Sequence, residues 1–461
     1  MSTASPAIKT SFWTLDRVAD ALDPLSPVNL PRGTEAFGRV WTDTRTIETG
    51  DLFVALIGER FDAHDFVAQA VASGAVGVVV SRPNSGRELG VPVFEVADTL
   101  AALGALGRYR RRAWGKPVVA VVGTNGKTST KELIRAALGS VLEVHATTGN
   151  LNNLIGVPLT LLATPDYADV AVVEMGTNQP GEIPRLRAVV EPDITVVTSV
   201  AEEHLEGLGD LAGVMREELA AADRVQVAIV PASQPDVVDA ARQRAGRVVA
   251  AGLDSGDVRP TRWSVDPDGR GRVAMDGVEI HLPLRGVHNI RNAMLALAVA
   301  RECGVSLADA ARGVESAEGP AMRTAWEQLG RVTLINDAYN ASPASMRAAL
   351  ELLGGLPGGR QRVAVLGTMR ELGSHSARLH EELAREALGS SIEVIAGAGE
   401  MGLALHRAGA GDPRLVVAED IHDLWTALEP RLASDAVILL KASRGVELER
   451  LVPSITAWAN S

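Results

Sequence analysis

Residues 118–141 leave this chain little freedom. Val118-Val-Ala-Val-Val122 is an unbroken apolar run, Gly123-Thr-Asn-Gly126 follows it, and Ile134 and Leu138 then mark one face of a helical stretch, with Leu133, Ala137 and Val141 beside them. A strand apolar on both faces must be covered on both, and a glycine turn leading straight into a helix is how a parallel sheet acquires that cover. Short β-branched runs and helical stretches alternate along most of the sequence, so the expected fold class is α/β.

Near the start, residues 51–57 and 76–80 read as strands around a helical stretch at 66–73, which makes a small α/β unit. The basic, glycine-containing stretch 107–116 marks the first boundary. Strand signals at Val118–Val122, Val170–Glu174, 194–199 and 225–230 then predict a central doubly wound sheet. Between Trp263 and Pro283, Asp266-Pro-Asp-Gly269 and Asp276-Gly277 are turn signals separating short strands of an antiparallel hairpin. A helix at 289–303 follows, closed by Gly304. From Glu318-Gly-Pro320 onward, strands at 332–335, 363–366, 393–396, Leu415–Ala418 and 436–440 predict a dinucleotide-type α/β domain. It contains no GxGxxG, so a nicotinamide cofactor is not indicated. The expected domains are 1–113, 114–318 and 319–461, in keeping with 461 residues.

Composition narrows the partners. The formal charge of −12 argues against a nucleic-acid footprint, which needs a clustered basic surface. No apolar run has membrane-spanning length, and the start from Met1 to Trp13 lacks the basic-then-apolar pattern of a secretory signal. The single cysteine, Cys303, supports neither an internal disulfide nor a cysteine metal cage. It reads as core at the end of an apolar helical run. A cytoplasmic protein without membrane insertion is the expectation, and a monomer is the working assumption.

The loop carries chemistry. Gly123, Thr124, Asn125, Gly126, Lys127, Thr128 and Ser129 join strand to helix, so backbone N–H groups can converge on phosphate oxygens where the helix adds positive potential. Lys127 can bridge the outer phosphates of ATP and Thr128 can ligate Mg²⁺. The spacing between the glycines is shorter than in the common nucleotide loop, so context decides the reading more than the letters do. Glu174 ends the strand Val170–Glu174, where an open α/β sheet places its ligands, and is the candidate Mg²⁺ carboxylate. His204 follows the next strand and can hold a second ion or orient a water.

Taken together, these stretches resemble the Mur ligase family over nearly the whole chain. The resemblance rests on Asp43-Thr-Arg45, Gly50-Asp-Leu-Phe-Val-Ala-Leu56 and Asp62-Ala-His-Asp-Phe66 in the first region. It continues through Thr148-Gly-Asn150-Leu-Asn-Asn153, Val173-Glu174-Met-Gly176, Pro180-Gly-Glu-Ile183 and His204-Leu-Glu-Gly207. It closes with Asn289-Ile-Arg-Asn292, Asn336-Asp337-Ala-Tyr339-Asn340-Ala-Ser-Pro343, Leu366-Gly-Thr-Met-Arg-Glu371-Leu-Gly373 and Lys441-Ala-Ser443-Arg444-Gly445.

The resemblance implies that Thr44, Arg45, Asn150 and Asn153 contact a UDP-linked substrate. Asn292 would contact adenine, and Arg323, Asp337, Tyr339 and Asn340 would close on ATP. Lys441, Ser443 and Arg444 would receive the incoming amine. It also implies an ATP- and Mg²⁺-dependent amide ligase joining D-alanyl-D-alanine to the carboxyl end of UDP-N-acetylmuramoyl-tripeptide through an acyl phosphate.

Two positions depart from the family pattern. Fourteen residues past His204, where the family carries a lysine that becomes carbamylated, this chain has Glu218. Our expectation is that Glu218 supplies the anionic oxygen directly, joining Lys127, Glu174 and His204 in the catalytic set and Thr128, Glu174 and His204 in the metal set. Thr368 stands where an aspartate is usual. These departures leave open a nucleotide-regulated binding protein that has lost catalysis, beside a related amino-acid-adding or folylpolyglutamate-type ligase. A small-molecule kinase would account for the loop but gives the last domain no role.

Overall fold

The computed structural model describes residues 12–25 and 27–461, so the expectation about the start of the chain falls almost wholly outside the described residues. The chain divides into two compact units, one of residues 1–118, 145–175 and 185–191, the other of residues 119–144, 176–184 and 192–461.

In the first unit, Val40–Trp41, Leu52–Val54, Gly77–Val80 and Val93–Glu95 form a parallel four-stranded sheet in that order. Leu52-Phe-Val54 and the run ending at Val80 are buried at every position, as strands covered on both faces must be. Phe37, Phe94, Leu103 and Leu106 pack one face, while Phe53, Val67, Ala70 and Val78 pack the other. The helix Thr99–Trp114 starts at Asp98, whose carboxylate accepts the Leu100 and Ala101 N–H groups, and stops at Gly115 with φ +70°. The basic stretch at 107–116, read as a boundary, thus begins as the second half of this helix. Its arginines have work there: Arg108 and Arg112 pair with Glu191. Gly107 is required by contact, since a Cβ there would lie 2.9 Å from Pro158 Cα in the helix Gly156–Leu162.

The second unit contains the parallel strands Arg247–Ala251, Val227–Pro231, Ile194–Val197 and Val118–Val122 in that order. The hairpin expected between Trp263 and Pro283 is a three-stranded antiparallel sheet, Arg262–Val265, Arg270–Met275 and Val278–Arg285. Its tighter turn has Asp276 and Gly277 both at positive φ, +48° and +81°, the geometry that suits the twist of a two-residue hairpin. The helix Val287–Glu302 is buried along most of its length, and Gly304 follows it at φ +76°. Cys303 is only half-buried, a correction to its reading as core, and burial pushes its thiol up to about 11.

A six-stranded mixed sheet completes the unit. Its order is Ala325–Leu329, Val332–Asp337, Val437–Lys441, Arg362–Leu366, Val394–Ala398 and Leu415–Ala418, parallel except at the first strand. That edge strand is largely exposed at Glu327 and Gln328 and lacks a β-branched run, which is why the sequence does not announce it. Among the described residues, no helix is long and apolar enough to cross a membrane.

Candidate active site

Two glycines shape the loop after Val118–Val122. At Gly123, φ is +119° and a Cβ would lie 2.4 Å from Thr198 Oγ1; at Gly126, φ is +86° and a Cβ would lie 2.9 Å from Asn292 Oδ1. Neither position tolerates a side chain, so the backbone itself forms the wall of the site. The strand end next door fixes the turn: Thr124 N–H donates to Ser199 O at 2.8 Å, Asn125 N–H to Ser199 Oγ at 3.0 Å, and Thr198 Oγ1 to Asn125 O at 2.6 Å. The helix Lys127–Gly139 then begins, with Thr128 buried and Ser129 half-buried in its first turn.

Lys127 Nζ donates to Gly123 O at 2.5 Å and to Thr124 O at 3.0 Å, so the ammonium sits above the loop. From beneath, Glu218 Oε2 accepts the Gly123 N–H at 2.8 Å. Glu218 is 2% exposed, and burial pushes its carboxyl up to about 7 against the opposing pull of Lys127 and the Gly123 N–H. Glu203 and His204 are charged neighbours of the same carboxylate. The loop, Lys127, His204 and Glu218, separate in sequence, are therefore gathered in one place.

Glu203, which the sequence reading passed over, belongs to this group. Its Oε1 accepts from Asn340 Nδ2 at 2.8 Å. Its Oε2 is buried, makes no hydrogen bond among the described residues and lies 4.0 Å from His204 Nε2. Among the described residues no group of three or more His, Cys, Asp or Glu side chains is arranged to hold an ion alone, but a buried carboxylate oxygen left without a donor beside His204 fits Mg²⁺ held by one or two side chains and completed by substrate phosphates. His204 Nδ1 contacts Glu371 Oε2. Burial works to lower the imidazole pKa, but the bonds and charges of Glu371 and Glu203 prevail and raise it. Glu371 is held below the ordinary carboxylate range, chiefly by His204.

Residues that follow strands of the mixed sheet reach the same loops. Ser342 Oγ donates to Asn125 Oδ1 at 2.9 Å, and Arg378 Nη2 to Glu202 Oε1 at 3.0 Å. Asp337 accepts the Thr324 N–H at 2.9 Å and pairs with Lys441 Nζ at 2.9 Å, while Lys441 also donates to Asn340 O at 2.6 Å. Lys441, expected at the amine substrate, is thus a 3% exposed brace beneath the 337–343 segment. Ser443 Oγ accepts the Arg370 N–H at 2.9 Å, and Arg444 pairs with Glu449. Arg323 stacks its guanidinium 4.3 Å from the Tyr339 ring centroid. Asn292 Nδ2 donates to Asn289 Oδ1 at 3.1 Å, which fixes the amide against Gly126. Thr368, the second departure, uses its hydroxyl to accept the Glu400 N–H at 3.0 Å at the start of the helix Gly399–Ala408.

The other candidates lie in the first unit. Glu174 is buried, with Oε1 accepting from Asn152 Nδ2 at 2.9 Å and its N–H donating to Thr147 Oγ1 at 2.9 Å. Asn153 Oδ1 accepts the Ile155 and Gly156 N–H groups and so shapes the turn into the helix Gly156–Leu162. Asn150 is exposed. Thr44 and Arg45 lie in a single helical turn capped by Asp43, which also pairs with the exposed Arg45 guanidinium.

Comparison with known proteins shows the family. Three family models match in sequence order: "Mur ligase family, catalytic domain" over 38–111, "Mur ligase middle domain" over 121–300, and "Mur ligase, glutamate ligase domain" over 322–444. The UDP-N-acetylmuramoyl-tripeptide–D-alanyl-D-alanine ligase of Bacillus subtilis is 34% identical over 425 residues, covering 90% of this chain and 92% of that protein. A crystal structure of MurF from Acinetobacter baumannii superposes with a TM-score of 0.87 at 32% identity, covering 96% of this chain and 99% of the other. MurF from Thermotoga maritima in complex with ADP gives 0.81 at 26% identity, covering 92% and 98%. This chain belongs to the Mur ligase family.

Proposed function

We infer that this chain is an ATP-dependent amide ligase that joins D-alanyl-D-alanine to the carboxyl end of UDP-N-acetylmuramoyl-tripeptide, a step of peptidoglycan precursor synthesis. The observation that carries the reading is the grouping of Lys127, Glu203, His204 and Glu218 around the glycine loop, in a chain whose relatives over nine-tenths of its length bear that activity in their name. Phosphoryl transfer from ATP to the tripeptide carboxylate gives an acyl phosphate, which the dipeptide amine attacks to release phosphate and leave an amide. Charge neutralisation and alignment dominate such a transfer, so no protein nucleophile is needed.

The chain's own residues divide the work. The backbone from Gly123 to Ser129 cradles phosphates, Lys127 moves from its loop carbonyls to the outer phosphate oxygens, and Asn292 holds Gly126 in place. Thr128, Glu174, His204 and Glu218, with Glu203 added, are the oxygen and nitrogen donors for Mg²⁺, which supplies charge stabilisation when bound. Asp337, Tyr339, Asn340 and Arg323 bring the 337–343 segment to the nucleotide. Region 1–113 recognises the UDP moiety with Thr44 and Arg45, region 114–318 binds ATP, with Asn150 and Asn153 toward the muramoyl peptide, and region 319–461 receives the amine near Ser443 and Arg444, over the Lys441 brace. The enzyme acts in the cytoplasm, as a monomer.

The decisive experiment measures ADP release and product mass with ATP, Mg²⁺, each UDP-tripeptide and the dipeptide. ADP release that needs both substrates, with an amide product, is expected. Nucleotide binding without turnover would instead identify a regulated binding protein, and a stable phosphorylated product a kinase.

A further inference from the structure

Two residues that are not glycine face each other in left-handed backbone: His204 at φ +53° and Glu371 at φ +64°. Bulky L residues hold that geometry only where their surroundings enforce it, and such positions cluster at functional sites. Here the enforcement is mutual. Glu206 N–H donates to Glu371 O at 3.0 Å, and the Glu371 carboxylate contacts His204 Nδ1. Gly373, also left-handed at φ +53°, lets the loops close, since a Cβ there would lie 3.1 Å from Glu206 Cα.

The consequence is a fixed imidazole. An ionised carboxylate only accepts, so the neutral ring must carry its proton on Nδ1 and present the Nε2 lone pair. That nitrogen lies 4.0 Å from the buried, unbonded Oε2 of Glu203. A carboxylate behind a metal-facing histidine sets both its tautomer and its orientation.

We propose that Glu371 is a positioning residue: it fixes the ring and tautomer of His204 so that Nε2 faces Glu203 and the nucleotide loop, which makes the cation-binding face depend on docking of the 366–373 loop. The proposal rests on the ligase reading for its kinetic consequence but not for its structural one. Other contacts join the same regions without touching His204, among them the Arg378–Glu202 pair, so positioning can be separated from docking.

The test compares the full chain with Glu371→Ala, Glu371→Gln and Arg378→Ala. In ¹⁵N-histidine NMR spectra recorded without nucleotide, at a pH where the ring is neutral, His204 is identified by the signal lost in His204→Gln. The wild type is expected to hold the Nδ1–H tautomer and Glu371→Ala to shift toward Nε2–H. In kinetics, Glu371→Ala should raise the half-saturating Mg²⁺ concentration about 10–100-fold. The KM for the UDP-tripeptide should stay within about two-fold, because the lost interaction is not a substrate contact. Glu371→Gln, whose amide oxygen still accepts, should recover most of the loss, and Arg378→Ala should leave both readouts near wild type. An unchanged tautomer in Glu371→Ala, or equal damage from Arg378→Ala, overturns the proposal. A wild type that releases no ADP with both substrates sinks the ligase reading, while the tautomer result still decides the role of Glu371.

Discussion

The Lys127 ammonium donates to the carbonyl oxygen of Gly123, four residues earlier, at 2.5 Å. With Thr124 O as second acceptor, the cation neutralises the negative ends of its own loop's peptide dipoles. On the proposed function a triphosphate brings formal negative charge to the same place, and Lys127 would exchange weak acceptors for strong ones when substrate arrives. Lys127→Ala should therefore fold normally and lose turnover by roughly 10²–10³-fold, the usual cost of deleting one preorganised charge at a phosphoryl-transfer site. Steady-state ADP release alongside a thermal melt checks both halves. Normal ligation rates in a folded variant would contradict the assignment of this loop.

Glu218 has two separable roles. Its Oε2 accepts the buried Gly123 N–H, and its charge faces Lys127, Glu203 and His204. Glu218→Ala strands that N–H, at about 1–3 kcal/mol, and removes the charge. Glu218→Gln keeps an acceptor and removes only the charge. We expect both to lose activity but only Glu218→Ala to lose appreciable stability. Glu218→Lys should regain activity when bicarbonate is added, as a carbamylated amine restores an anionic oxygen. Full activity in Glu218→Ala would end the proposed metal role.

How much of this was legible in the sequence follows from how local each signal is. The strand Val118–Val122 and the helix after Gly126 are written in periodicity and glycine, and the structure has both, although the helix ends at Gly139 and leaves Val141, read as part of it, exposed in the turn beyond. Glu218 was found by counting from His204. Glu203, one residue before that histidine, was not, because an acidic pair in a loop has no period and its partner Asn340 lies 137 positions away. Glu371 lies in the 366–373 stretch that resembles the family, yet its partner His204 is 167 positions distant. The burial of Lys441 is hidden for the same reason, since its partner Asp337 lies 104 positions earlier in the chain. Four arginines in the helix Thr99–Trp114 mask its amphipathic face, and so it reads as a basic boundary.

Thr368 illustrates a departure absorbed locally. Its hydroxyl accepts the Glu400 N–H at a helix start, where Gly399 sits at φ +63°. Thr368→Ala should cost about 1 kcal/mol, as lost helix-start acceptors do. Thr368→Asp places a charge at the positive end of the same helix and should stabilise it by about 0.3–1 kcal/mol if the longer side chain keeps the bond. Thermal melts of the two variants should thus move in opposite directions. A shift of the same sign in both would show that the hydroxyl's bond to Glu400 is not what this position contributes.

Glu191 ties the end of one helix to another through two cations. Its carboxylate pairs with Arg108 and Arg112, and the Arg112 bond, followed by Arg108, holds its pKa below the ordinary value although burial opposes them. A carboxylate with a depressed folded-state pKa contributes stability that is fully present above its unfolded value, near 4.3, and is lost as pH falls through the folded one. The group is about one-third exposed, so screening limits the contribution to about 1 kcal/mol or less. At pH 7, Glu191→Gln should open the helix Thr99–Trp114 to hydrogen exchange more readily than wild type, by up to about five-fold. That difference should shrink as the carboxylate titrates below pH 4 and should fall with added salt. A variant equally perturbed at pH 3 and pH 7 would mean that Glu191 acts through packing and not through its charge.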